Sequence, residues 1–338
     1  MKSLTTISAG ILALLTSTLA LPQPLPLNHH KADSSKVGYL GVYWKTSDES
    51  VYYALSNNSD PLGFTPINGG NPIVSPTLGT KAIRDVSIIK GVGHDKGKYY
   101  LIGTDLKIAD TTWAKAVRTG SRGIFVWESS DLLNWAGERL VTVEEETAGM
   151  VWAPDAIWDA RKGKYLVHWA SQFYAANDTE HTGNPTTTEI IRYAHTSDFK
   201  TFTKPQTYID HKTSTTIDLS ILPVDENTFV RFYVNGNVSG PVVEVSDNGL
   251  FGDWTSPSGT VEDSTRYEGP YPFWDNVQDG KAYLVCDKVG SVTGWAPWES
   301  TDVTSGQFTP VSGYNLASMR HGSVLSVTQE QYDALAAL

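Results

Sequence analysis

The chain has 338 residues, a formal net charge of −11, 29 glycines, 16 tyrosines, 11 tryptophans and one cysteine. Such a charge argues against nucleic acid or an anionic membrane as partner, and it disfavours a polyanionic substrate unless a local basic patch intervenes; none is evident in the sequence. With Cys286 alone no intrachain disulfide can form, so packing must hold the fold, and a chain of this length can bury enough surface for that.

At the N-terminus, Lys2 precedes an apolar run from Ile7 to Leu19 that closes on Thr18-Leu19-Ala20, the pattern of a secretory signal peptide over residues 1–20. The run is shorter than the roughly 20 apolar residues of a membrane span, which predicts a secreted, extracellular protein. Residues 21–36, with Pro22, Pro24 and Pro26, read as a polar leader, and residues 37–338 as one domain. Sequons at Asn57, Asn177 and Asn237 fit glycosylation on that route. Cys286, inside Ala282-Tyr283-Leu284-Val285-Cys286, reads as a small buried hydrophobe.

Short aromatic and β-branched runs cut by Gly, Asp and Asn predict an all-β fold, and the runs repeat. The first unit contains Arg84-Asp85-Val86-Ser87, then Lys98-Tyr99-Tyr100-Leu101-Ile102, then Gly123 to Asp131 and Trp135. The second opens on Trp152-Ala153-Pro154-Asp155, the third on Ile217-Asp218-Leu219-Ser220, and the fourth on Glu268-Gly269-Pro270-Tyr271. A fifth unit is split: Arg320-His321-Gly322-Ser323-Val324-Leu325 supplies its opening strand, and Gly38 to Tyr43 and Val51 to Ser56 supply the next two. Five units with such a closure predict a five-bladed β-propeller of four-stranded blades, its last blade built from both termini. Two successive β-sandwiches would leave the displaced strand unexplained. In a propeller the opening strands line the central channel, so Asp85, Asp155, Asp218, Glu268 and His321 should converge there. Glycosidic bond cleavage asks for such a set: one carboxyl to protonate the leaving oxygen and one carboxylate to drive attack. A third carboxylate nearby can raise the pKa of the acid.

The motifs Arg84-Asp85, Trp152-Ala153-Pro154-Asp155, Tyr267-Glu268-Gly269-Pro270 and Arg320-His321-Gly322-Ser323-Val324, in that order, resemble glycoside hydrolase family 43 over essentially the whole mature chain. The resemblance implies Asp85 as general base, Glu268 as general acid and Asp155 as pKa modulator, with inversion at the anomeric carbon. Val86 departs from the proline common after the family's base. Asp218 matches no family role and reads as a supporting residue. His321 resembles the family's axial histidine, which organises the pocket floor and sometimes a bound ion; no cofactor is required, and a structural Ca2+ at the axis is the one ion the resemblance suggests. For sugar stacking and hydroxyl recognition the candidates are Trp152, Trp113, Phe173, His321 and Arg320, with Trp44, Trp295, Arg118 and Arg122 behind them.

The function expected is that of a secreted, exo-acting α-L-arabinofuranosidase or arabinanase on neutral plant polysaccharide, arabinan or arabinoxylan. A β-xylosidase of the same family and a non-catalytic carbohydrate-binding propeller are the alternatives. An invertase-like enzyme would need an Asn-Asp-Pro nucleophile motif near the N-terminus, which this chain lacks.

Overall fold

The computed structural model describes residues 30–261, 265–290 and 293–338. The signal peptide expected over residues 1–20, and residues 21–29 of the leader, lie outside the described residues.

The strands assemble into five antiparallel sheets. Strands β1 (Gly38–Lys45), β2 (Asp48–Asn57) and β3 (Asp60–Pro66) begin the chain's described sheets. Blade 1 follows with β4 (Ile83–Lys90), β5 (Tyr99–Asp105), β6 (Gly123–Ser129) and β7 (Ala136–Thr142), and helix α1 (Trp113–Thr119) lies between β5 and β6. Blade 2 holds β8 (Trp152–Asp159), β9 (Lys164–Ser171), β10 (Ile190–Thr196) and β11 (Gln206–Ile209). Blade 3 holds β12 (Thr216–Pro223), β13 (Phe229–Asn235) and β14 (Val242–Ser246), and blade 4 holds β15 (Tyr267–Trp274), β16 (Ala282–Lys288), β17 (Gly294–Ser300) and β18 (Thr309–Pro310). Finally β19 (Arg320–Val327) leads into helix α2 (Gln329–Ala336) and pairs with β1 from Gly38↔Val327 to Trp44↔Arg320, completing the split blade in the order β19-β1-β2-β3.

The innermost strands β4, β8, β12, β15 and β19 each contact the next, and β19 returns to β4, so the ring closes as a five-bladed propeller. Blade 3 corrects the expected strand count. Among the described residues it has three strands, and its outer edge is marked by the bridge Val245↔Thr255.

The core is distributed between blades. Leu40, Val42 and Val51 meet Val86, Ile88 and Leu101 across one interface, and Ile102 and Val126 meet Val167 and Trp169 across the next. Three further clusters join blades 2 and 3, blades 3 and 4, and blade 4 with the split blade. This explains why inner and middle strands are near-continuous apolar runs rather than alternating ones: a blade on either side buries both faces of the sheet. Outer β7, by contrast, has no fully buried residue. Cys286 sits in the interface of blades 3 and 4, where burial first and Asp287 second push its thiol well up. Residues 30–36 of the expected leader are not detached. The His30 ring stacks on Trp274 at 4.4 Å, and Lys31 Nζ pairs with Asp279 at 2.7 Å.

Candidate active site

Each inner strand slips in register near its start, and these bulges build the site. Against its neighbour, β4 slips between Arg84 and Ser87, β8 between Trp152 and Asp155, β12 between Ile217 and Ser220, and β15 between Glu268 and Tyr271. The β19–β1 pairing slips at the same place, between Arg320 and Ser323. The first residue of the bulge is left-handed in four of the strands: Asp85 (φ 51°), Ala153 (φ 49°), Asp218 (φ 57°) and Gly269 (φ 54°). Bulges of this kind turn side chains toward the axis at barrel and propeller rims. Asp and Gly tolerate the conformation best. At Gly269 a Cβ would also collide with the His321 ring, so the glycine of Glu-Gly-Pro is required twice over.

The bulges sort the axial residues into three layers. Arg84, Trp152, Ile217, Glu268 and Arg320 stand just before the slip. Asp85, Ala153, Asp218, Gly269 and His321 stand on it, and Ser87, Asp155, Ser220, Tyr271 and Ser323 end it. A cavity of about 740 Å³ is lined by the whole of the first layer and by Asp85, Asp218 and His321 of the second. None of the third layer reaches it.

The opening acids expected to be equivalent are therefore not. Asp85 and Asp218 are true counterparts, Glu268 stands one residue earlier, and Asp155 two residues later, beneath the cavity. Asp155 is buried there, with its Oδ2 accepting from Ser220 Oγ at 3.0 Å and its Oδ1 from the Ala156 N–H at 2.8 Å. Asp218, read from sequence as a supporting residue, is in the cavity wall. A signal for this exists in the chain: Arg84-Asp85-Val86-Ser87, Ile217-Asp218-Leu219-Ser220 and Arg320-His321-Gly322-Ser323 share a serine two residues after the key side chain.

His321 is the electrostatic hub. Its Nδ1 lies 3.3 Å from Asp85 Oδ1 and 3.9 Å from Asp218 Oδ2. Burial works against its charge, but Asp218, Asp85 and Asp287 outweigh burial and raise the imidazole to about 9. Burial would raise Asp85 as well; the hydrogen bond and charge of His321, with Arg84 and a bond from Thr104, outweigh that and hold the carboxyl below its usual range, hence ionised. For Asp218 the balance falls the other way. Burial, only partly offset by His321, joins repulsion from Glu268 and Asp85 to raise it to about 7, even though the Gly269 N–H donates to its Oδ2 at 2.9 Å. Asp155 is also raised, by burial, against the Ala156 N–H and the hydroxyls of Ser220 and Ser87. Glu268 Oε1 accepts from Arg266 Nη2 at 3.0 Å.

The other expected contacts divide. Arg320 Nε spans both oxygens of Asp287, at 2.9 and 2.7 Å, and its Nη1 donates to Thr46 Oγ1 at 2.8 Å. The guanidiniums of Arg320 and Arg84 lie 4.9 and 4.2 Å from the Trp44 ring centroid, so Trp44 lines the cavity as a platform for cations. Trp113, 55% exposed at the start of α1, meets Trp152 edge to face at 6.0 Å and carries the Arg84 guanidinium 5.1 Å from its ring centroid, leaving the rest of the ring open at the mouth. Phe173 is a correction: it is buried beneath the Arg192 guanidinium and does not line the cavity. Trp295 is likewise core, and Arg118 is spent on the carbonyls of His181 and Gly183. Arg122 lines a separate depression with Glu145 and Glu146. Arg84, Ile217, Glu189 and Arg266 are wall residues that the sequence did not single out as site residues.

An axial Ca2+ does not fit these donors. Among the described residues no group of three or more His, Cys, Asp or Glu side chains is arranged to hold a metal ion. The axial cationic place between Asp85 and Asp218 is already taken by the His321 imidazolium.

Residues 35–333 match the model of a glycosyl hydrolase family 43-related family, described as a probable glycosyl hydrolase domain. An alpha-L-arabinofuranosidase from Bifidobacterium longum subsp. longum is 33% identical over 188 residues, which cover 51% of this chain and 17% of that protein. Among solved structures, the catalytic domain of a family-62 alpha-L-arabinofuranosidase from Coprinopsis cinerea shares the fold at a TM-score of 0.51, with 13% identity over 74% of this chain and 75% of that one. An exo-beta-1,3-galactanase from Phanerochaete chrysosporium gives a TM-score of 0.47, with 14% identity over 72% of this chain and 51% of that one.

Proposed function

The chain belongs to the family 43-related glycosyl hydrolases, and from that premise we propose that it is an inverting, exo-acting α-L-arabinofuranosidase or arabinanase that trims plant cell-wall polysaccharide. The observation that carries the reading is that Asp85, held ionised, and Glu268 share one cavity with a charged His321. Arabinose is favoured over other sugars by the curated relative, although this chain spans only 17% of its length.

In this mechanism Asp85 takes a proton from a water as that water attacks the anomeric carbon, and Glu268 hands its proton to the leaving oxygen as the glycosidic C–O bond breaks. His321 keeps Asp85 oriented and negative. Asp218 is the further carboxyl in the cavity wall beside Asp85 and Glu268, whereas Asp155, the modulator that the resemblance implies, lies one layer below. The Glu268–Arg266 pair is no obstacle: the Arg266 side chain is 65% exposed, and such pairs are worth about 0–1 kcal/mol, so entering substrate can displace it. Trp113 and Trp152 supply apolar faces for the sugar. The protein is secreted in this reading, and Asn57, Asn177 and Asn237, all exposed, carry its glycans.

Release of nitrophenol from arabino- and xylo-configured nitrophenyl glycosides, followed by proton NMR of the anomer first formed, tests the proposal. Arabinose should be released with inversion, and D85N should lower kcat by about 10²–10⁴-fold. E268Q should lose far more on arabino-oligosaccharides than on the nitrophenyl glycoside, whose leaving group needs little protonation. Turnover of the xyloside alone would make the enzyme a β-xylosidase. A retained anomer, or full activity in D85N and E268Q, would overturn the mechanism.

A further inference from the structure

A second groove opens at the far end of blade 2. Strand β8 runs through 8 residues from Trp152 in the catalytic cavity to Asp159, so at about 3.3 Å per residue its two ends lie roughly 23 Å apart, on opposite faces of the propeller. The groove has a volume of about 720 Å³.

Its floor is aromatic. The Phe251 ring lies 5.1 Å from Tyr193, 5.7 Å from Tyr208 and 6.0 Å from His195, yet Phe251 itself is 49% exposed. A large apolar ring held by three neighbours with half its surface in water is a platform rather than a core residue, and sugar C–H faces stack on such platforms. Thr203 and Gln206, both exposed, add hydroxyl and amide groups beside it.

Its rim is cationic. Arg161, Lys162 and Lys164 are exposed and line the groove, and among the described residues none of them is ion-paired. Arg161 is held across to blade 3 by neutral acceptors, the Asn227 side chain at 2.9 Å and the Asn248 carbonyl at 3.3 Å, so its position is fixed while its charge stays available. The one acid of the lining, Asp159, is buried, and its oxygens are committed to His195 Nε2 at 3.0 Å and the Lys162 N–H at 3.1 Å. On a chain of net charge −11 these three cations form a local basic patch where none was expected.

We propose that this groove binds a uronic-acid-bearing polysaccharide, with a sugar ring lying on Phe251 and Tyr193 and its carboxylate against Arg161, Lys162 and Lys164. It would hold the protein on an acidic chain while the opposite face works on neutral side branches. The binding itself does not depend on which sugar the catalytic cavity cleaves.

Native affinity electrophoresis of the full chain in gels containing polygalacturonate, linear arabinan or inorganic polyphosphate decides the matter. Polygalacturonate should retard the wild type, and both K162A/K164A and F251A should weaken that retention at least tenfold with unchanged thermal unfolding and unchanged turnover of small aryl glycosides. Retention in arabinan should be the same for all three proteins. No retardation by polygalacturonate, equal retention by polyphosphate, or retention that survives F251A would each overturn the proposal, the last two by reducing the groove to an unspecific charge patch.

Discussion

Asp218 and Asp155 are one layer apart along the axis, and the difference separates chemistry from support. Asp218→Asn removes a cavity carboxyl that shares the field of Glu268 and Asp85, so kcat should fall steeply. Asp155→Asn should retain much more activity and lose stability instead, because an amide offers one acceptor oxygen where the carboxylate serves Ser220 and the Ala156 N–H; a mismatch at a buried site costs about 1–3 kcal/mol. The pH dependence of stability gives a second reading of Asp218. Its folded pKa, about 7, lies above the ordinary 3.8, so the folded state binds the proton more tightly than the unfolded one. Its contribution is complete below 3.8 and is lost as pH rises toward 7. His321, raised from 6.5 to about 9, acts in the same direction but only above 6.5, and the raised carboxyls of Asp155 and Asp287 are present in both wild type and D218N, so the difference between the two proteins below 6.5 reports Asp218. Calorimetry from pH 4 to 6.5 should show wild-type Tm declining relative to D218N across that window. Parallel curves would mean that Asp218 titrates as it does in an unfolded chain.

At the scale of the element, the bulge is the part of the design that sequence periodicity could not reveal. The blade units and the displaced closing strand were legible because strand runs and turns recur in fixed order. The register inside β8 or β15 was not, since a strand buried on both faces has no polar side to mark a one-residue slip. That is why Asp155 and Glu268 read as counterparts of Asp85 although they stand two residues after and one residue before its position. The shared serine marks the register in chemical terms. Ser323 Oγ accepts the Ile88 N–H at 2.8 Å and donates to the Val86 carbonyl at 3.1 Å, serving two groups of β4 beside its bulge. It is fully buried, so Ser323→Ala leaves both without water or partner, and the expected cost is about 1–3 kcal/mol in urea unfolding. Blade 2 is fastened to blade 1 by a related device, the Ala153 N–H donating to Thr104 Oγ1 at 2.7 Å, which helps hold Ala153 left-handed. A change of only a few tenths of a kcal/mol in S323A would show that the ring does not rely on the serine.

At the scale of the whole molecule, closure and catalysis use the same strand. β19 completes the split blade against β1, delivers Arg320 and His321 to the cavity, and sends Ser323 across to β4. It is held from beyond by α2, whose capping box joins Thr328 and Gln331 and whose Gln331 amide reaches the Tyr99 hydroxyl of blade 1. The Gly38↔Val327 pair therefore joins residues from nearly opposite ends of the chain, and the contact carries the loop-closure entropy of a long-range pairing, which slows folding. A circular permutant that begins at residue 320, runs through α2 and a flexible linker into residue 37, and ends at residue 319 turns that distant pairing into a local one without altering the ring. It should keep the catalytic cavity and its activity, and refold faster than the natural order in stopped-flow dilution from urea. A chain simply ended at residue 319 should lose both activity and cooperative unfolding, since β1 becomes an open edge and Asp85 loses its imidazolium. If the truncated chain still unfolds cooperatively with native Tm, the termini do not close the propeller in the way the β19–β1 pairing requires.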